Sequence, residues 1–152
     1  MLTRRLFLSA LALTIAMPAS LLAAPVDSDA ARRKINAIRK KHGLAELETS
    51  QLLKVAAQDQ ADRMAKKGKV SHHAGWGKSF YTRMSKLGLR VRAAENIGAG
   101  YGSLDRVIEG WMQSAEHRKN MLDPAFRHFG IARALPGRKS PYGDYWAIVF
   151  SE

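Results

Sequence analysis

Helical and strand-like patterns occupy different parts of this chain, and their order restricts the fold more than any other sequence feature. Apolar residues recur at the i, i+3, i+4 spacing of amphipathic helices in the first three quarters of the body. After a break at Asp123-Pro124, the patterns become strand-like. With 152 residues, the chain is expected to form one domain. The sequence predicts helices at 30–41, 51–67, 79–87 and 103–115, and strands within 89–97 and at 129–134 and 145–150.

Polar caps and glycines support these helix boundaries. The N-cap candidates are Asp27-Ser28-Asp29 for the first helix, Thr49 or Ser50 for the second, and Ser103 for the last. Lys66-Lys67-Gly68 places cations and a glycine stop at the end of the second helix. We expect the last amphipathic helix to continue far enough to place Ser114 and His117 on one face. Its predicted buried positions are Leu104, Val107, Ile108, Trp111, Met112 and Ala115.

Residues 1–24 have the three parts of a secretory signal peptide: a basic start, a short apolar core and a small-residue end. Arg4 and Arg5 also fit a twin-arginine export signal, and a general secretory signal remains the alternative. The apolar core is too short for a stable membrane-spanning helix. We therefore expect residues 25–152 to form a single domain that is not an integral membrane protein and is located in the periplasm or secreted.

The chain has no cysteine, which excludes disulfides, thiolate metal sites and a cysteine nucleophile. The hydrophobic core alone must therefore hold the fold. A formal net charge of +12 attracts polyanions, and for an exported protein these are envelope glycopolymers and anionic lipids rather than nucleic acid. Since the cations are spread along the helices, simple solvation is the favoured explanation. The candidate core aromatics are Trp76, Trp111, Trp146, Phe80, Phe126, Phe129 and Phe150.

Residues with chemical potential are concentrated between positions 72 and 117. His72, Glu95 and His117 supply two imidazoles and a carboxylate, which could hold Zn²⁺ with open positions. The metalloprotease spacing HExxH is missing from the sequence, so spacing alone favours a hydrogen-bonded polar network. A serine hydrolase is a further alternative, with Ser71, Ser79 or Ser114 beside a base, but the sequence lacks a GxSxG elbow.

One run of residues resembles a known family. Ala94-Glu95-Asn96-Ile97-Gly98, followed by Trp111-Met112-x-Ser114-x-x-His117-Arg118-x-Asn120, is similar to the bacterial CAP (SCP-type) domain. This superfamily includes cysteine-rich secretory and plant pathogenesis-related proteins. Pieces on both sides agree in order, so that the resemblance covers residues 31–152. They include Ile35-Asn36-x-x-Arg39, Ser71-His72, Phe129-Gly130-Ile131-Ala132 and Tyr145-Trp146.

The resemblance implies an α+β fold, a three-layer α-β-α sandwich with a small antiparallel sheet and a surface cleft. Larger members hold a His-Glu-Glu-His tetrad that can take a divalent metal. Its first His matches His72, its first Glu matches Glu95 and its second His matches His117, while Ser114 replaces the second Glu. That replacement removes a carboxylate and leaves His72 and His117 as candidate Zn²⁺ ligands.

Four further side chains belong to this expected cleft or its network. Asn96 lies in the motif, and Trp76 lies in the glycine-flanked loop beside His72 and His73. His72 is preferred to His73 because it directly follows Ser71. Tyr101 and Tyr145 are expected to contribute hydroxyls to the same network.

The resemblance leaves the function less defined than the fold. The favoured hypothesis is a non-catalytic extracytoplasmic binding module that uses this cleft, with an envelope glycopolymer or lipid as partner. The alternatives are a metal-assisted hydrolase with Glu95 as the base, and a lipid or sterol carrier. The sequence does not decide whether the protein is an enzyme, nor its oligomeric state.

Overall fold

A computed structural model describes residues 25–73, 79–137 and 140–152. The predicted signal peptide and Trp76 lie outside these ranges. The order of elements is α1 (Ser28–Lys41), β1 (Glu48–Thr49), α2 (Gln51–Lys67), α3 (Phe80–Lys86), β2 (Ala93–Ala99), α4 (Leu104–Gln113), α5 (Ala115–Met121), β3 (His128–Ala134) and β4 (Tyr145–Ser151).

The four strands form one mixed sheet in the order β1-β3-β4-β2. Strand β4 pairs antiparallel with both β3 and β2, which confirms the predicted antiparallel sheet. The two-residue strand β1 pairs parallel with β3 and was not predicted. Strand β2 is an edge strand, so that a site built on it is accessible from outside the sheet.

Alternation along the strands sends side chains into two separate cores. Odd residues of β4, such as Ala147 and Val149, pack with α2 and α3, whereas even residues, such as Ile148 and Phe150, pack with α1, α4 and α5. Every residue of β4 is buried, because helices cover both of its faces. The arrangement is the predicted α-β-α sandwich.

The predicted helix boundaries agree closely with the structure. The side chain of Asp27 caps α1, that of Ser50 caps α2 and that of Ser103 caps α4. Gly68 ends α2 with a φ of 63°, a conformation that glycine adopts without strain. No helix among the described residues is long and apolar enough to cross a bilayer.

Most of the predicted aromatic core is confirmed. Five of the candidates are buried, and Phe80 is partly buried against the α2–α3 side. This packing stabilises a chain that has no disulfide. The five buried aromatics are Trp111, Trp146, Phe126, Phe129 and Phe150.

The last amphipathic helix differs from its prediction. Ser114 has extended backbone angles, φ −93° and ψ 122°, which end α4 and begin α5. The prediction that Ser114 and His117 share one face of a continuous helix is therefore wrong, and Ala115 is exposed rather than buried. The two residues are nevertheless neighbours, because an N-cap residue and the third residue of its helix lie close together.

Candidate functional site

Edge strand β2 carries two consecutive polar side chains to opposite faces of the sheet. Glu95 lies opposite Val149, on the face covered by α2 and α3, and Asn96 lies opposite Ile148, on the α4–α5 face. Both Glu95 and Asn96 are buried. Buried polar groups need partners, and the partners of these two define the site.

Glu95 forms a buried ion pair with Arg83 of α3. Arg83 Nη2 donates to both carboxylate oxygens, at 2.8 Å from Oε1 and 2.6 Å from Oε2. The two side chains are only 6% and 2% exposed. The Nε and Nη1 atoms of Arg83 have no hydrogen-bond partner among the described residues, so the guanidinium depends on this one carboxylate. Such a pair holds the charge of Glu95 in place.

Arg83 is a site residue that the sequence analysis missed. It lies on the inward stripe of α3 at i, i+3, i+4, i+7 with Phe80, Met84 and Leu87. An arginine on an apolar stripe is a signal for a buried acidic partner, because a buried cation needs one. That signal could have connected Arg83 with Glu95.

His72 is fixed by the same carboxylate. Its Nδ1 lies 2.9 Å from Glu95 Oε1. A carboxylate oxygen only accepts hydrogen bonds, so Nδ1 donates its proton to Glu95 and Nε2 is left for another partner. The side chain of His72 is 47% exposed, which leaves the ring accessible to a ligand.

The loop before the site is anchored to α2. The buried side chain of Gln60 donates from Nε2 to the carbonyl oxygen of Ser71, at 2.7 Å. His73 is exposed and donates its backbone N–H to Ser71 Oγ. The ring that hydrogen-bonds Glu95 is therefore His72, as the order of residues after Ser71 suggested.

His117 approaches the site from α5 on the other side of β2. Asn96 Nδ2 donates to the His117 carbonyl oxygen at 3.0 Å, and Asn120 Nδ2 donates to Asn96 Oδ1 at 2.9 Å. Partial burial lowers the pKa of His117, the charge of His72 lowers this pKa further, and Glu116 raises it by a smaller amount.

The remaining predicted site residues have different positions. Ser114 is half-buried, and its side chain makes no capping hydrogen bond to α5. The Tyr145 hydroxyl pairs with Ser140 Oγ at 2.9 Å, so its predicted place in the site network is wrong. The ring of Tyr101 lies between Gly98 and Gly110, where a Cβ on either glycine would overlap it.

The family of the chain follows from its sequence match. Residues 32–150 match the family described as the cysteine-rich secretory protein family, CAP. The chain belongs to the CAP family. The resemblance seen in the Glu95-Asn96 and Trp111–Asn120 motifs thus extends through nearly all of the folded region.

Two curated relatives of this CAP domain come from Bacillus subtilis (strain 168). The uncharacterized protein YkwD is 32% identical over 119 residues, which cover 75% of this chain and 46% of YkwD. The uncharacterized membrane protein YlbC is 33% identical over 97 residues, which cover 63% of this chain and 28% of YlbC. The CAP domain therefore matches less than half the length of either relative.

Solved structures share the fold of this CAP domain at low sequence identity. An outer surface protein of Borrelia burgdorferi superposes with a TM-score of 0.72 at 20% identity, covering 86% of this chain and 98% of that one. An extracellular protein of Bacillus anthracis with an SCP domain gives a TM-score of 0.68 at 22% identity, covering 86% of this chain and 45% of that one.

The donor set of this CAP domain does not fit an ordinary protein zinc site. Catalytic zinc has three protein ligands and structural zinc has four. Both oxygens of Glu95 accept from Arg83, which leaves the imidazoles of His72 and His117. Within residues 25–73, 79–137 and 140–152, no group of three or more His, Asp or Glu residues is placed to hold a metal ion. The site instead offers two imidazole rings: His72, which is hydrogen-bonded to Glu95, and His117, which is half-buried.

Proposed function

We propose that this CAP domain is a non-catalytic binding module that works outside the cytoplasm. It binds a hydroxyl-bearing envelope glycopolymer through His72 and His117. One observation carries the proposal: the buried Arg83–Glu95 pair holds the Nδ1–H of His72, which leaves Nε2 for a ligand on an accessible ring.

The two imidazoles suit a neutral ligand that is rich in hydroxyl groups. Burial lowers the pKa of His117, so this ring is neutral at neutral pH and offers one donor and one acceptor. His72 presents Nε2 on its accessible ring. Sugar hydroxyls both donate and accept, and therefore match both rings.

Glu95 is better placed to position His72 than to abstract a proton. A general base must reach the proton that it removes, whereas both oxygens of Glu95 accept from Arg83 and Oε1 also accepts from His72. This use of the carboxylate favours binding over the metal-assisted hydrolase. A place outside the cytoplasm is supported by the signal-like residues 1–24 and by the surface and extracellular relatives.

The test is an NMR titration with soluble murein fragments, the repeating units of an envelope glycopolymer. Residues 25–152 include every core residue of both described clusters, so the chain from residue 25 keeps both cores. We expect saturable shifts of the His72 and His117 ring signals, while the signals of exposed His42 and His128 stay in place.

The matched variants are His72→Gln and His128→Gln. Binding should be lost in His72→Gln and retained in His128→Gln, because the side chain of His128, two strands away on β3, hydrogen-bonds only the Glu152 carbonyl among the described residues. Shifts that spare both site histidines, or equal loss in the two variants, would contradict the proposal. Fractionation of the producing cell tests the location separately, and recovery in the cytoplasm alone would refute it.

A further inference from the structure

Lys and Arg are less evenly distributed along the chain than we expected from their spread along the helices. From Arg63 to Ala94, both included, the sequence has nine Lys and Arg residues and no Asp or Glu. The whole chain has a formal net charge of +12, so this segment carries most of it. The segment includes the end of α2, all of α3 and the start of β2.

The surface of α3 combines this charge with exposed apolar side chains. A groove of about 450 Å³ runs between α3 and residues 89–93. Tyr81 and Val91, on this groove, are 82% and 51% exposed. Arg90, on the same groove, is exposed, and so is Lys86, in the last turn of α3, which lines the neighbouring groove between α3 and α2. We call this group of four residues the α3 surface.

We propose that the α3 surface docks on an anionic lipid bilayer. Tyrosine is favoured at the boundary between headgroups and acyl chains, where its ring is buried and its hydroxyl stays wet. A neighbouring aliphatic side chain gains by leaving water. Cations beside them are attracted to acidic headgroups. Tyr81 and Val91 therefore enter the interface while Lys86 and Arg90 pair with phosphates.

A bilayer explains the α3 surface better than a soluble polyanion does. A soluble polyanion would use Lys86 and Arg90 but would leave Tyr81 and Val91 in water. The helix that docks is also the helix that holds Arg83, the partner of Glu95. Docking would thus bring the His72 site close to the membrane, although the proposal does not depend on which ligand that site takes.

The test is co-sedimentation of residues 25–152 with vesicles of equal parts phosphatidylcholine and phosphatidylglycerol at low ionic strength. We expect binding that added salt weakens and that vesicles of phosphatidylcholine alone do not support. Lys86→Gln/Arg90→Gln should lower the partition coefficient on the order of thirtyfold, since each cation near the surface contributes about 1 kcal/mol.

A matched pair on α1 separates this surface from net charge. Lys40→Gln/Lys41→Gln removes the same charge from exposed positions on the opposite side of the sheet, and should leave binding nearly unchanged. Tyr81→Ser removes no charge and should still weaken binding. Because Tyr81 is 82% exposed, the substitution should leave the domain folded, so weaker binding would reflect the loss of the ring.

Three results would overturn the proposal. They are no binding to the anionic vesicles, an equal loss for the two charge pairs, and unchanged binding of both Tyr81→Ser and Val91→Ser. In the third case, competition by soluble polyphosphate would identify a soluble anionic polymer as the partner instead.

Discussion

Arg83 Nη2 lies 2.8 Å and 2.6 Å from the two carboxylate oxygens of Glu95, and both side chains are buried. The contact joins α3 to edge strand β2. Because Glu95 Oε1 also accepts from His72 Nδ1, one carboxylate neutralises a buried cation and orients an accessible imidazole. The stability of the domain and the geometry of its site therefore depend on the same pair.

Arg83→Met should be strongly destabilising. The substitution leaves the Glu95 charge buried without its partner, and breaking a buried pair in this way costs about 3–5 kcal/mol. Urea unfolding followed by circular dichroism measures the change in the free energy of unfolding. In the double variant Arg83→Met/Glu95→Leu, which removes both charges, we expect much of the loss to be recovered. A double variant with the summed loss of the two single variants would show that the two residues act independently.

The ring of His117 should titrate below the usual range for histidine. Its folded-state pKa is lowered by burial and then by the charge of His72. As the pH falls, the imidazole of His117 is therefore protonated in the unfolded chain before it is protonated in the folded chain. Its contribution to the free energy of unfolding is lost as the pH drops through the unfolded-state pKa of about 6.5. An NMR titration of the ring signals gives the pKa directly.

His72→Gln provides the control for this titration. It removes the second cause of the shift and should raise the pKa of His117 toward its usual value, while burial still keeps it low. An unchanged pKa of His117 in His72→Gln would show that the two rings do not interact.

The sequence predicted the parts of the fold that depend on local pattern. Short strand-like runs on either side of the Gly- and Pro-rich segment 136–144 identified β3 and β4, and the polar caps located the starts of α1, α2 and α4. Strand β1 was missed because its two residues are defined only by pairing with His128 and Phe129, about eighty positions later in the chain. Local propensity contains no information about such a contact.

The site was only partly predictable for the same reason. The motif identified Glu95 and His117, but Arg83 becomes a site residue through a contact between two elements. The break at Ser114 was also missed, because the apolar spacing continues from Leu104 to Ala115 without a glycine or proline to interrupt it at that point. Asn96 hydrogen-bonds the carbonyl of His117 beyond the break, a contact that helical spacing cannot reveal.

Gly130→Ala should destabilise the domain, because α2 packs directly on β3 at this glycine. A Cβ at position 130 would overlap the backbone of Leu53 and Lys54. Backbone atoms in a helix cannot move aside as a flexible side chain can. Overpacking usually lowers the free energy of unfolding by about 1–3 kcal/mol, and we expect Gly130→Ala to lower it by about 3 kcal/mol.

Thermal and urea unfolding of Gly130→Ala measure this loss. Gly137→Ala is the matched control, since nothing lies within 4 Å of a Cβ there and the residue has no positive φ. The control should stay within about 0.5 kcal/mol of the original chain. Equal stability of the two variants would mean that α2 and β3 are less closely packed than the structure indicates.

Ser114→Glu should create a three-ligand Zn²⁺ site. The substitution places a carboxylate at the position where the larger CAP members that this chain resembles have glutamate. As the N-cap of α5, residue 114 is next to His117, so His72, His117 and the new carboxylate would supply the three ligands of an open zinc site. Calorimetric titration should show saturable Zn²⁺ binding in Ser114→Glu only. That binding should disappear in Ser114→Glu/His117→Ala and persist in Ser114→Glu/His128→Gln. Equally tight binding by the unsubstituted chain would instead show that two imidazoles suffice, and would restore the metal hypothesis for the natural site.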